Sequence, residues 1–311
     1  MINYSIVIGV CNQKDTLQGI LESLRRQIKN PKLYEIVIAD DGSSDGTDEF
    51  IKKLRFPIFL KYIRSQSPLG RSHNRNRGLE RVGGQQIIFI DGDMIPSQDF
   101  IESYQAAWND FPDSAYVGSW KIPERWDAVP FLKYFGSRGR LTMSRGNLVP
   151  GKYFASGNFS ISKSLLASVG MFDTDFTGWG GEDTDFGFRL EEKNIPIIYI
   201  PEATCEHYHR KNLNEIVKEY ISFGKEGFPL LCRKYPEKTI FDKGWMLGLP
   251  YTKNSTIKKM VSIALWPLRS TPSLKLLQVL AKITNGKLLS DLMFDWLFYG
   301  NLARGYARRK K

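Results

Sequence analysis

Three short segments, YSIVIGV, EIVIAD and QQIIFIDGD, place β-branched and other apolar side chains at consecutive positions, and stretches of helical spacing lie between them. A strand with one wet face alternates apolar and polar residues. One that is apolar along its length must be covered on both faces, which points to a parallel sheet layered between helices. After the first segment comes a polar turn at 11–15 and an amphipathic stretch at 16–27, with Leu17, Ile20, Leu21 and Leu24 at helical spacing. The unit repeats with EIVIAD, the turn DDGSSDGT and a helix at 48–54, then with a strand at 58–63 and a helix at 70–81, before QQIIFIDGD supplies a fourth strand. Ligands of such sheets sit beyond the carboxyl ends of the strands, where Asp40, Asp41, Asp91 and Asp93 fall.

Beyond Asp93 the spacing predicts a helix at 98–108, a strand near 115–117 and a long Arg/Gly-rich connection over 120–152, of a length associated with mobile substrate covers. A further strand and helix, FSISKSLLASVG, lead to the glycine-rich FTGWGGEDTDFGFRLEEK, a strand IPIIYIP and CEHYHR. The 311 residues, 42% of them hydrophobic, suffice for one large α/β domain with or without an appendage. Cys11, Cys205 and Cys232 share no metal-type spacing and are odd in number, as expected for free thiols in a reducing compartment. The apolar start lacks a basic region and a cleavage site, so it reads as a first strand and the protein is expected in the cytoplasm.

Four constellations carry chemistry. Asp91-Gly92-Asp93 closes an apolar strand with carboxylates at i and i+2, able to hold a divalent cation against a diphosphate; a solvated strand-end turn is the competing explanation. In Asp40-Asp41-Gly42-Ser43-Ser44-Asp45-Gly46-Thr47, a fixed carboxylate can accept the imide hydrogen of uracil, which makes Asp40 and Asp41 nucleotide candidates, whereas turn and capping chemistry accounts for Asp45 and Thr47. Thr177 to Asp185 joins three glycines, a flat apolar Trp179 suited to stacking on a sugar, and the adjacent acids Glu182 and Asp183 at a helix start, placed to take a proton. Glu206-His207-Tyr208-His209-Arg210 offers imidazole as a ligand for Mn²⁺ beside carboxylates, with one of the two histidines as the ligand.

Taken in order, VIGVCNQKDTL, IADDGSSDGT, GRSHNRNRGLE, FIDGDMIP, SGNFSISKSLLASVGMFDTDFTGWGGEDTDFGFRL and EHYHR resemble the inverting GT-A glycosyltransferases of the large bacterial family that includes cellulose- and chondroitin-type synthases. The resemblance covers residues 3–212. Its second half is similar to the acceptor region shared by chondroitin polymerases, β1,4-galactosyltransferases and polypeptide N-acetylgalactosaminyltransferases, through the WGGED run. The charge and amphipathic pattern divide the chain into a catalytic domain over 1–252 (nucleotide half 1–95, acceptor half 96–252) and a helical, amphipathic extension over 253–311. The resemblance implies a Rossmann-like, doubly wound, mostly parallel sheet for the first. It also implies roles. Asp40 and Asp41 would contact uridine; Asp91 and Asp93 would hold Mn²⁺ or Mg²⁺ against the diphosphate of a UDP-sugar; and His207 would complete the metal shell. Arg75, in Asn74-Arg75-Asn76, matches an ARN-like donor segment, and Gly157 and Asn158 match a pair near the donor sugar. Trp179 and Glu182 would bind the acceptor, a glycan or lipid-linked saccharide, with Asp183 as the base and Glu182 beside it in the catalytic segment. His209 has no counterpart.

The formal net charge of +11 is local: from Lys253 onward twelve Lys and Arg face only Asp291 and Asp295, and the preceding residues are nearly neutral. Leu, Trp and Phe interleaved with those cations describe helices lying on an anionic membrane surface, at the inner face of the cell membrane, or a helical appendage packed on the catalytic body. No uncharged stretch reaches the ~20 residues of a spanning helix. With charge confined to an apolar-rich tail and no recognisable module, nucleic acid is not expected as a partner. A catalytically silent nucleotide-sugar or carbohydrate-binding subunit on the same fold is the alternative, against which the intact DGD and GGED acids stand.

Overall fold

The apolar segments form the strands of one eight-stranded sheet, with helices on both faces. The computed structural model describes residues 2–124, 132, 134, 143–208, 211–238, 240, 241, 249, 260, 263, 267, 270–284 and 289–308. Its contacts define two compact units, one of residues 1–123, 140–174 and 183–209, the other of 124–139, 175–182 and 210–311.

The first unit holds the sheet. Strands β1 (Tyr4–Val10), β2 (Tyr34–Asp40), β3 (Phe59–Arg64) and β4 (Gln86–Asp91) alternate with helices α1 (Lys14–Gln27), α2 (Thr47–Lys53) and α3 (Arg71–Leu79). Then come β5 (Met94–Pro96), α4 (Phe100–Asp110), β6 (Ala115–Lys121), β7 (Asn158–Ser162), α5 (Lys163–Val169), α6 (Glu182–Glu192) and β8 (Ile197–His207), and the strand order is β3-β2-β1-β4-β7-β6-β8-β5. Alternate strand residues feed two cores. Ile6, Ile8, Ile36, Ile38, Ile88 and Ile90 pack with Leu17, Leu21 and Leu24 of α1 and Phe100 and Tyr104 of α4. Val7, Val37, Ile87 and Phe89 pack with Leu79 of α3, Leu166 of α5 and Phe186 and Leu190 of α6. The expected doubly wound, mostly parallel sheet is therefore found.

Three features depart from the sequence expectation. β7 runs antiparallel to β4 and β6, and the short β5 runs antiparallel to β8. β8 continues past the predicted 195–201 through Cys205 to His207, and in that extension Ala203 and Cys205 are buried while Thr204 and Glu206 are not, so its pattern alternates instead of being apolar throughout. The predicted cover over 120–152 is partly sheet: Gly146 and Val149 donate to the carbonyls of Tyr199 and Ile197 at 3.0 and 2.8 Å, and Tyr199 donates to Asn147 at 2.9 Å. Residues 125–131, 133 and 135–142 of that connection lie outside the described residues.

The second unit is helical. α7 (Leu213–Lys225) opens on a capping box formed by Asn212 and Glu215, and α8 (Gly227–Lys234), α9 (Thr271–Ile283) and α10 (Asp291–Ala307) follow. Leu213, Ile216 and Val217 of α7 share a core with Phe294, Leu297 and Phe298 of α10. The last and longest of this unit's three segments starts at residue 210. Among the described residues no helix is long and apolar enough to cross a membrane; much of 253–269 and all of 285–288 and 309–311 lie outside them.

One buried charge braces the amino-terminal end of the sheet. Glu35 of β2 accepts from Ser5 Oγ at 2.6 Å and from the Gly83 amide, and pairs with Lys61 Nζ of β3 at 2.7 Å. Burial alone would raise its pKa, but Lys61, Ser5 and Gly83 together hold it below the ordinary 4.5. The carboxylate therefore adds stability that is complete above pH 4.5 and is lost as pH falls through the depressed folded value. Glu35→Gln is expected to cost about 1–3 kcal/mol at neutral pH in urea unfolding, with the difference from wild type narrowing as pH drops below the ordinary carboxylate range.

Candidate active site

Strand register gathers the site. Val10 lies beside Asp40 and Gly9 beside Asp91, so the carboxyl ends of β1, β2 and β4 are level. Because β7 is antiparallel, its first residue, Asn158, pairs with Ile90 at that same edge. β8 runs parallel to β6, and its last residues bring His207 opposite Met94.

Arg75 of α3 is the centre of this edge. Its Nη2 lies 3.3 Å from Asp91 Oδ2 and its Nη1 lies 3.5 Å from Asp183 Oδ1. The guanidinium carbon sits 5.7 Å from the Phe89 ring and 5.4 Å from the Phe172 ring, apolar faces that favour a cation. Arg75 has a side-chain exposure of only 5%, whereas Asp91 and Asp183 retain 31% and 32%, so the cation is internal and the acids open outward. Its neighbours fix it: Asn74 donates to the Ala39 carbonyl at 2.8 Å, and Asn76 exchanges two hydrogen bonds with the Phe172 backbone at 2.8 and 2.9 Å. The asparagine at the first position of the ARN-like segment thus clips α3 to β2. Asp183 also accepts from the buried Ser156 hydroxyl. Gly157 gives its carbonyl to the Asp91 amide at 2.8 Å, and a Cβ there would stand 3.1 Å from Asp91 Oδ2 and 2.9 Å from Met94 Cε.

Asp93 and His207 form a second pair, with Asp93 Oδ2 3.5 Å from His207 Nε2. The Tyr208 amide donates to the Asp93 carbonyl at 2.7 Å, and Trp120 sets its ring edge-on to the imidazole at 5.2 Å. Among the described residues no group of three His, Cys, Asp or Glu is close enough to hold a metal by itself. A carboxylate oxygen and an imidazole nitrogen, both partly exposed, nevertheless suit Mn²⁺ when phosphate oxygens and water fill the remaining positions, better than the oxygen-preferring Mg²⁺. His209 and Arg210 lie outside the described residues.

The nucleotide candidates are engaged within the fold. Asp40 is wholly buried, accepting from the Ser43 amide at 2.8 Å and the Tyr62 hydroxyl at 2.5 Å, with Arg64 Nε at 3.7 Å. Burial and the bond to Asp40 push the Tyr62 phenol well up, so it remains a donor. Asp41 receives the Leu69 and Gly70 amides at 2.7 and 3.0 Å, pinning the loop before α3. Asp45 takes the Thr47 amide and hydroxyl and the Lys14 amide, the turn chemistry expected of it, but it is not the cap of α2, where Gly46 stands with φ of +86° and no side-chain capping bond. Asn158 is buried too: it accepts from Tyr104 at 2.7 Å and donates to the Ser119 and Ala203 carbonyls at 2.9 and 2.8 Å, tying β7 to β6 and β8. In this arrangement Asp40 and Asn158 hold the edge together instead of lining open space.

In the helical unit, the glycine run folds as a turn against α7. Gly180 and Gly181 have φ of +85° and +106°, and a Cβ on Gly181 would meet the Phe176 ring at 2.7 Å, so both positions need glycine. Trp179 lies 5.4 Å from the Tyr220 ring and 6.1 Å from Phe223. Glu182 begins α6 and is buried, and Asp185, within that helix, is wholly buried and accepts from Arg189 Nε at 2.9 Å.

Sequence reasoning missed Ser156, Tyr62 and Tyr104. Only Ser156 carried a signal, standing directly before the Gly157-Asn158 pair.

Comparison with known proteins gives this edge its relatives. Residues 145–212 match the family described as N-terminal domain of galactosyltransferase. Chondroitin synthase of Pasteurella multocida (strain Pm70) is 29% identical over 272 residues, covering 75% of this chain and 28% of the synthase. As with most such relatives, the chain spans less than two thirds of the protein it resembles. Among solved structures, mannosyltransferase PcManGT from Pyrobaculum calidifontis, in complex with GDP-Man and Mn²⁺, has a TM-score of 0.63 at 16% identity, covering 98% of this chain and 86% of that one. S. aureus TarS 1-349 in complex with UDP-GlcNAc has a TM-score of 0.54 at 15% identity, covering 98% of this chain and 91% of that one. Residues 5–166, just over half of the sequence, match the model of glycosyl transferase family 2, and the chain belongs to that family.

Proposed function

We propose that the chain is a divalent-metal-dependent, inverting transferase that moves a hexose or N-acetylhexosamine from a UDP-sugar to a glycan or lipid-linked saccharide, working as a peripheral protein at the inner face of a cell membrane. The observation that carries this reading is the bridge from Arg75 to Asp91 and Asp183, which sets a cation between an acid of the DGD segment and a partly exposed acid at a helix start. The solved complexes of family-like folds with nucleotide sugars support a donor of that class, and TarS with UDP-GlcNAc supports uridine.

In this reading Asp93 and His207 hold Mn²⁺ or Mg²⁺, with Asp91 completing the acidic rim. Bound there, the ion would neutralise charge on the departing diphosphate. Arg75 supplies a fixed positive charge to the same oxygens. Asp41, with the loop it pins, is the acceptor for the uracil imide, and Asp40 braces it from behind. Gly157 leaves room for the donor sugar, and Asn158 keeps that backbone in place. Asp183, aimed by Ser156, takes the proton of the acceptor hydroxyl as its oxygen bonds to the anomeric carbon. The bond from that carbon to the diphosphate breaks with its electron pair leaving on UDP, and attack from the opposite face inverts the centre. Trp179 stacks on the acceptor sugar and Glu182 binds its hydroxyls.

Asp183→Asn is expected to lower kcat by about 10²–10⁴-fold while UDP affinity changes little, because it removes the base and leaves the nucleotide contacts. Asp93→Ala should weaken metal-dependent UDP binding and turnover together. Wild-type turnover in the Asp183 variant would remove the assigned base. Chelation by EDTA should abolish release of the nucleoside diphosphate from a panel of UDP-sugars assayed beside GDP-mannose, and Mn²⁺ should restore UDP release from a UDP-sugar. Release that survives chelation contradicts the metal assignment, and release from GDP-mannose alone contradicts the uridine assignment.

A further inference from the structure

α9 carries two opposed apolar faces. Leu274 and Ala281 are buried, and Leu277 and Leu280 pack against the core shared with α10. On the other side Leu276, Val279 and Ile283 are 61%, 48% and 77% exposed. Their spacing of i, i+3 and i+7 makes them one stripe. A helix at a water-facing surface normally turns charge outward. Here the outward stripe is aliphatic, Lys275 and Lys282 are exposed along its flank, and the helix contains no acid. Leu292 and Met293, at the start of α10, are exposed as well. Thirteen residues make a helix about 20 Å long, short of the ~30 Å hydrocarbon core of a bilayer.

We propose that the outer face of α9 docks in the plane of an anionic membrane, with Leu276, Val279 and Ile283 entering the acyl boundary while Lys275 and Lys282 reach the phosphate headgroups. Charge selects this occupant. The segment from Lys253 onward holds twelve Lys and Arg against two acids, so an anionic lipid surface is complementary, whereas a second copy would bring like charge against like. The inference rests on the peripheral-membrane part of the proposed function and gives it contact residues; it is independent of the transfer chemistry.

The test uses the full chain with vesicles of phosphatidylcholine alone and of phosphatidylcholine with phosphatidylglycerol, at low and high salt. Binding is expected to the anionic vesicles and to fall with salt. The triple variant Leu276→Ser, Val279→Ser, Ile283→Ser should reduce the partition coefficient at least about tenfold, and Lys275→Glu with Lys282→Glu at least about fivefold. All these side chains are exposed, so circular dichroism and melting should match wild type. Unchanged vesicle binding in the triple variant, or no binding by wild type, overturns the proposal. Concentration-dependent self-association in gel filtration, abolished by the triple variant, would assign the face to a second copy and also overturn it. UDP release in vesicle-free solution, measured on the same variants, separates loss of docking from failure of the transferase reading.

Discussion

The site depends on compensating one nearly buried guanidinium. Arg75 loses most of its hydration at the end of the sheet, and a charge in that position is tolerated only with opposite charge and good hydrogen bonds close by. Its carboxylate partners come from distant parts of the chain, Asp91 from the end of β4 and Asp183 from the first turn of α6. Phe89 and Phe172 flank the cation, Asn74 and Asn76 hold the helix that carries it, and Ser156 restrains Asp183. The cation therefore joins the first half of the α/β unit to the second. Moving it would displace the two acids on which the proposed chemistry rests.

A parallel sheet with helices on both faces is readable wherever strands are buried on two sides, as in β1, β2 and β4, because burial leaves near-continuous apolar runs. Where strands lie toward the edge, the signal fades. The last part of β8 alternates buried Ala203 and Cys205 with polar Thr204 and Glu206, and β5 is three residues long, so neither resembles the central strands. Strand direction is set by chain path, and the antiparallel β7 leaves no mark in its own composition.

The site was legible in its residue types but less so in their division of labour. The acids at the strand ends, Arg75 and Asp183 are indeed brought to one edge, and Asp93 meets His207 although more than a hundred residues separate them. Asp40 and Asp41 are nucleotide candidates by their carboxylate chemistry, and Asn158 is a donor-sugar candidate only through the family resemblance. Their bonds to Tyr62, the Leu69 and Gly70 amides and Tyr104 are non-local, and no spacing rule reports them. In the helical unit, Phe294, Leu297 and Phe298 of α10 share a core with α7, while α9 is left with an aliphatic face outside.

The central claim is that Asp93 and His207 bind the ion that accompanies a donor diphosphate at the edge organised by Arg75. The most direct measurement is a crystal structure of the chain soaked with UDP and Mn²⁺, with the metal located by its anomalous scattering. The account requires the manganese peak to be bonded to Asp93 and His207 and to oxygens of the diphosphate, with Arg75 near the same phosphates. A manganese or UDP site elsewhere, with no metal on Asp93 and His207, would contradict it.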